Sequence, residues 1–272
     1  MPPLFKKTLV LGATSGIGEA LAAKLIANGT KVIVVGRRRD RLDAFVSKHG
    51  SDNAKAVPFD VTDLAAIKGF AELITQNDPD LDSVILNAGI QRAFDFSQPD
   101  TMDLAALGDE LTTNYTSAVH VTAALLPHLK KRPQGHLVYV SATLGLIPSM
   151  TRTPNYNASK SALHTFILNV RQQLREGGAA HVRMIEVFPP AVQTELHDER
   201  HQPDLVDGGE IGMPLFEFVD KMYHGLIKGH DQFAIGPGES LLKEGGWEFQ
   251  RTQLYETQRG VLEKSLQRYL RK

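Results

Sequence analysis

The chain has 272 residues, 42% of them hydrophobic, and no cysteine. That suits one soluble globular domain with a sizeable core, and it excludes a disulfide framework, a thiol nucleophile and any thiolate metal site. With 30 basic against 31 acidic residues the formal charge is -1, so nothing in bulk charge draws the chain to nucleic acid or an acidic membrane.

The opening Met1-Pro2-Pro3-Leu4-Phe5-Lys6-Lys7 enters a short apolar strand without the pattern of a signal peptide. No apolar run approaches the roughly 18 residues of a membrane span, so a cytoplasmic protein is expected. A strand at 8–11, apolar without alternation, suits burial on both faces. A helix at 16–27 follows, with Ile17, Leu21 and Leu25 on one face. Next come a strand at 31–35, a short helix at 40–49 and a strand at 54–59. Asp63 caps a helix to 74, and a strand fills 81–86. A long helical region spans 105–131, then a strand at 135–140. A helix at 156–175 ends at Gly177-Gly178 and leads to a strand at 182–187. A helix at 215–227, a seventh strand at 232–235 and a helical tail over 246–272 complete the chain. In that tail Trp247, Leu254, Val261, Leu262 and Leu266 fall on roughly one stripe.

Strands alternating with helices on this scale imply βαβ units, hence an α/β single-domain, doubly wound parallel sheet of about seven strands. In such sheets ligands bind beyond the carboxyl ends of the strands, which makes the following loops the candidate site. The first strand feeds Gly12-Ala13-Thr14-Ser15-Gly16-Ile17-Gly18. Glycines there permit a tight turn and close approach of a pyrophosphate to the amino end of a helix. The second strand ends in Gly36-Arg37-Arg38-Arg39 rather than a carboxylate for a ribose diol. Arg37 has the charge and fork geometry for a 2'-phosphate, which selects NADP, while Arg39 and Arg41 read as a solvated helix start. Asp60-Val61 can accept from an adenine amino group, and Asn87-Ala88-Gly89 is small enough for a ribose to lie against its backbone.

Tyr156 and Lys160 stand four residues apart on one helical face. A phenol is a poor acid at neutral pH, and a neighbouring cation lowers its pKa toward the value that proton transfer to a forming alkoxide requires. His120, His128, His136 and His164 show no ligand spacing, and no metal site is expected.

The glycine turn, Asn87-Ala88-Gly89, Asn114, the Tyr156/Lys160 pair and Pro189 to Thr194, in this order and spacing, resemble the short-chain dehydrogenase/reductase family from residue 7 to about 235. The resemblance implies a Rossmann fold and an NADP-dependent carbonyl or alcohol oxidoreductase. Tyr156 would be its acid/base, and Lys160 would hold the nicotinamide ribose. Asn114 would organise a water that links Lys160 to bulk. Pro189, Val192 and Thr194 would meet the nicotinamide carboxamide. It also implies a homodimer or homotetramer built on the helices at 105–131 and 156–175.

One departure matters. The family commonly reads Ser-Ser after its fifth strand, and here the sequence is Ser141-Ala142-Thr143. Aligned from the strand, the substrate-polarising position is Ala142. Counted back from Tyr156 it is Thr143, and Ser141 is a third candidate. The stretch 195–214, rich in charge and glycine, reads as a lid, with Leu144, Leu146, Met150 and Met213 as an apolar wall. The rival reading is an NADP-binding regulatory or scaffold protein whose catalytic centre has decayed.

Overall fold

The computed structural model describes residues 3–269. Seven strands form one parallel sheet: β1 (Lys7–Leu11), β2 (Lys31–Gly36), β3 (Ala54–Pro58), β4 (Ser83–Leu86), β5 (Gly135–Val140), β6 (Val182–Phe188) and β7 (Gln232–Ala234). Their spatial order is β3-β2-β1-β4-β5-β6-β7, so the chain reverses direction across the sheet between β1 and β4. Loops on either side of that reversal diverge and leave a crevice at the carboxyl edge.

Strand alternation divides the core. Val10, Val32, Val34 and Ile185 point to one side. They meet α1 (Gly16–Ala27), α2 (Arg39–His49) and α7 (Leu215–Ile227) through Leu21, Leu25, Phe45, Phe218 and Met222. Leu9, Leu11, Ile33 and Tyr139 point to the other. There they meet α3 (Ile67–Asn77), α5 (Ser117–Leu129) and α6 (Pro154–Glu176) through Phe70, Val121, Leu125 and Ile167. A sheet covered on both faces has no solvated side, which is why its strands read as continuous apolar runs.

Several boundaries differ from the sequence reading for local reasons. Asp63 accepts from the Ala66 amide in a turn, and α3 starts only at Ile67. The 105–131 region is not one helix. It comprises α4 (Leu104–Leu111), a π-helical stretch at Thr112–Thr116 and α5. Asn114 sits within the π stretch, where a widened turn lets a residue leave the regular ladder.

The C-terminal region contains a four-residue α8 (Glu239–Leu242) and α9 (Trp247–Leu266); residues 270–272 of the expected 246–272 extension lie outside the described residues. The apolar stripe of α9 is not its docking face. Trp247, Leu254, Val261, Leu262 and Leu266 are all exposed, and the buried residue is Glu248. The buried His164 ring on α6 meets Glu186 through Nδ1 at 2.7 Å and Glu248 through Nε2 at 3.1 Å. Arg251 lies against both the ring and Glu248. Burial pushes the imidazole pKa down and the carboxylates push it up; the carboxylates win, raising it to about 9. A buried ionic clasp, not an apolar seam, thus fixes α9 to the helix that carries Tyr156.

Candidate active site

A cavity of about 820 Å³ opens at the carboxyl edge of the sheet, at the β1/β4 reversal. The part beside the turn after β1 is mostly backbone. Gly12 has φ +75°, and a Cβ there would lie 2.7 Å from the Ala88 Cα. At Gly18 a Cβ would fall 2.3 Å from the Gly12 carbonyl oxygen and 2.5 Å from the Asn87 Nδ2. Asn87 Nδ2 donates to that same carbonyl at 2.9 Å, tying the turn after β1 to the loop after β4. Gly18 itself does not line the cavity; its role is to let α1 sit tightly under the turn. Gly12, Thr14, Ser15, Gly16, Ile17, Asn87, Ala88 and Gly89 all line it. The glycines therefore let the turn pack tightly against Ala88 and Thr194 with the start of α1 lining the cavity, a setting suited to a pyrophosphate.

Arg37 lines the cavity, largely exposed, with Nη1 3.8 Å from Asp60. Asp60 accepts from the Thr62 amide at 3.0 Å and the Thr62 hydroxyl at 2.8 Å. Burial raises its pKa, but the Thr62 bonds and Arg37 outweigh that and hold it below the usual carboxylate range. Asp60 and Val61 both line the cavity.

Arg38, not singled out in the sequence, is the more constrained arginine. Its guanidinium reaches Thr14 Oγ1 at 2.8 and 3.0 Å, Ser15 Oγ at 2.6 Å and Glu195 at 2.7 Å. Arg41 also bonds Glu195, so it is not simply solvated. Burial would raise the Glu195 pKa, yet the two arginines hold it down to about 2. The adjacent arginines in the sequence were the available signal; which of them turned inward was set by the start of α2.

Tyr156 and Lys160 are both buried on α6 and both line the cavity. Lys160 Nζ sits 5.6 Å from the centre of the Tyr156 ring and donates to the Val140 carbonyl at 2.9 Å. Burial lowers the lysine pKa to about 8, against the pull of Glu186 and Glu110. The tyrosine departs from expectation: burial, reinforced by the Glu110 charge, raises its phenol pKa rather than lowering it. At this distance, in the protein alone, Lys160 does not offset desolvation.

Asn114 does not line the main cavity. Its Oδ1 accepts from the Ile90 amide at 2.9 Å. Its Nδ2 donates to the Ile90 carbonyl at 2.9 Å and to Ser159 Oγ at 3.1 Å. It thereby fixes the loop after β4 to the helix of Tyr156. A small void of about 10 Å³, lined by Asn114, Lys160, Ala88 and Ser117, lies behind it.

Ser141, Ala142 and Thr143 all line the cavity. Ser141 Oγ is buried without a partner. The Thr143 hydroxyl donates to the Pro189 carbonyl at 3.2 Å. Pro189, Val192 and Thr194 also line the cavity, with Thr194 packed where a Cβ on Gly16 would meet it at 3.2 Å. Leu144, Ile147 and Met150 form an apolar wall. Leu146 and Met213 do not line it: Leu146 is buried, and Met213 packs against the core and bridges to Val192. From the 195–214 segment, Glu195, Leu196, His197, Arg200 and His201 reach the cavity, whereas no residue of α9 does. Among the described residues no helix is long and apolar enough to cross a membrane.

The family profile described as short chain dehydrogenase matches residues 6–204. The chain is 36% identical over 234 residues to the uncharacterized oxidoreductase DltE of Bacillus subtilis (strain 168), covering 86% of this chain and 89% of that protein. It is 32% identical over 203 residues to the NADP-dependent 3-hydroxy acid dehydrogenase YdfG of Salmonella typhi, covering 74% of this chain and 79% of that one. Among solved structures, the closed form of serine dehydrogenase complexed with NADP+ superposes with a TM-score of 0.73 at 25% identity, covering 85% of this chain and 94% of that one.

Proposed function

The chain belongs to the short-chain dehydrogenase family, and we propose that within it this protein is an NADP(H)-dependent oxidoreductase interconverting a carbonyl and an alcohol. The observation that carries the reading is that one cavity holds both the glycine cradle with its arginines and the buried Tyr156/Lys160 pair. The cradle fits a dinucleotide: Gly12, Gly16 and the start of α1 would hold the pyrophosphate, Arg37 and Arg38 the 2'-phosphate, and Asp60 the adenine. Lys160, Pro189, Val192 and Thr194 would hold the nicotinamide end. When bound, the cofactor supplies or accepts the hydride.

The protein's own part is proton handling and charge stabilisation. Tyr156, protonated at rest, would donate to an oxygen gaining negative charge, and the charge of a bound cofactor and of Lys160 would have to offset the burial that raises its pKa. Lys160 is mostly cationic at neutral pH, and after its bond to Val140 two N–H groups remain for ribose hydroxyls. The void beside Asn114 is about the size of one water, which suits a proton path from Lys160. Ser141, with an uncommitted hydroxyl, or Thr143, on releasing Pro189, would donate a second hydrogen bond to the substrate oxygen.

The test is NADPH oxidation across a carbonyl panel. Tyr156→Phe should lower kcat about 10²–10⁴-fold with NADPH affinity retained, and Ser141→Ala against Thr143→Val should identify the second donor. Tight NADPH binding without turnover of any carbonyl would favour the non-catalytic alternative, whose support is Ala142 at the expected serine position. Light scattering would test the homodimer or homotetramer.

A further inference from the structure

Two polar residues that line the cavity, Gln91 and His197, are left unused by the reaction above, and both bond Gln202 behind them. Gln202, 1% exposed, comes up from the 195–214 segment, and its amide orientation is set by Arg152. Arginine can only donate, and Arg152 Nη1 lies 2.5 Å from Gln202 Oε1, so Nε2 is the end turned toward Gln91 and His197. That nitrogen has two hydrogens and three acceptors: the Leu196 carbonyl at 2.7 Å, Gln91 Oε1 at 3.0 Å and His197 Nδ1 at 3.1 Å.

Two consequences follow from proton counting. Gln91 uses its oxygen on Gln202, so its own NH₂ is left over. When the Gln202 amide donates to His197 Nδ1, the neutral ring carries its proton on Nε2. Burial, with the charge of Arg152, holds His197 below its ordinary pKa. Gln91 and His197 are 3% and 7% exposed, and both line the cavity. Among the described residues neither free Nε2 has a partner, and neither is sealed from the cavity. Both nitrogens are open to a ligand that brings acceptors.

The placement is rigid relative to the chemistry. Gln91 follows Ile90, whose backbone is clamped on both sides by Asn114. The charged residues of this half of the cavity are Arg92, Arg200 and Lys160. Of the carboxylates lining the cavity, Asp60 lies at the adenosine end and Glu195 is held by Arg38 and Arg41.

Resting on the oxidoreductase reading, we propose that Gln91 and His197, aligned by Gln202, are specificity-determining residues that bind the carboxylate of an oxo-acid or hydroxy-acid substrate. Arg200, exposed at the rim, adds charge attraction. Gln202 is a positioning residue: it need not touch the substrate.

The test compares acetoacetate and levulinate with their methyl esters, which keep the carbonyl and remove the anionic end. The wild type should prefer at least one acid by about tenfold or more in kcat/KM. Gln91→Leu and His197→Phe should each raise KM for that acid at least about tenfold more than for its ester, with NADPH affinity retained. Gln202→Met should move the same acid-to-ester ratio with a smaller effect. Equal use of acid and ester by the wild type, or equal loss of both in the variants, overturns the proposal. If no carbonyl is turned over, the oxidoreductase reading fails by itself. Calorimetric titration of acid and ester into the NADP+-loaded protein then decides the carboxylate site. Tighter acid binding that is lost in Gln91→Leu supports it; equal or absent binding overturns it. Should Gln91→Leu not fold, His197→Phe carries both arms.

Discussion

At the adenosine end of the cavity the shape comes from backbone and short-range neighbours: Gly12 at positive φ, Gly18 under the turn, and Thr14 and Ser15 a few residues away. At the substrate end it comes from side chains that tertiary structure brings together, such as Gln91 and Gln202, 111 residues apart in the chain. The first end tolerates little because a Cβ has nowhere to go. The second can be re-cut, since a side chain can be replaced without moving a strand. A dinucleotide is constant and a substrate is not, and the two ends of one cavity differ accordingly.

The contrast can be broken most severely at Gly12. Gly12→Ala puts a Cβ against the Ala88 backbone at a strained φ, and about 1–3 kcal/mol of strain from each source should weaken NADPH binding roughly 100-fold. A fluorescence titration showing wild-type affinity would mean that the cradle is not backbone-limited. Next in size, Arg38→Ala should raise the Kd for NADPH about tenfold and change that for NADH much less, because only NADPH carries the 2'-phosphate. Equal losses would show instead that Arg38 merely braces Thr14 and Ser15.

At the other end, Met150→Ala or Leu144→Ala should shift KM by about two- to tenfold, with a sign that depends on substrate size and with NADPH affinity untouched. A change in both would show that the two ends are coupled.

The clasp behind the site should have the smallest effect on function. His164 has its pKa raised from 6.5 to about 9, so its contribution to stability is fully present below pH 6.5 and is lost as pH rises through about 9. The melting-temperature gap between the wild type and His164→Gln should therefore be widest at acidic pH and close above about pH 9. A pH-independent gap would mean that the ring acts by packing alone.

Much of this was legible before any coordinates. Unalternated apolar runs separated by helical periods implied a parallel sheet covered on both faces, and the glycine turn, the arginines after β2 and the Tyr156/Lys160 spacing each stated a local requirement of backbone or helix geometry. Such features are legible because their cause lies within a few residues. Asn114 was visible as an odd residue in a helix, although the π-helical stretch that accommodates it was not. The sequence could not say which of three adjacent arginines would face Glu195. Nor could it say that Lys160 would fail to lower the Tyr156 pKa, because burial is set by the whole fold. Likewise, the apolar stripe of α9 stayed exposed while Glu248 was buried, since a pair of charges contributed by α6 and β6 offered a partner that only packing creates. The sequence by itself therefore determined the sheet, the cradle and the helical pair. Only the tertiary structure decided which side chains meet across the cavity, because hydrogen-bond partners and desolvation depend on distances that chain spacing does not encode.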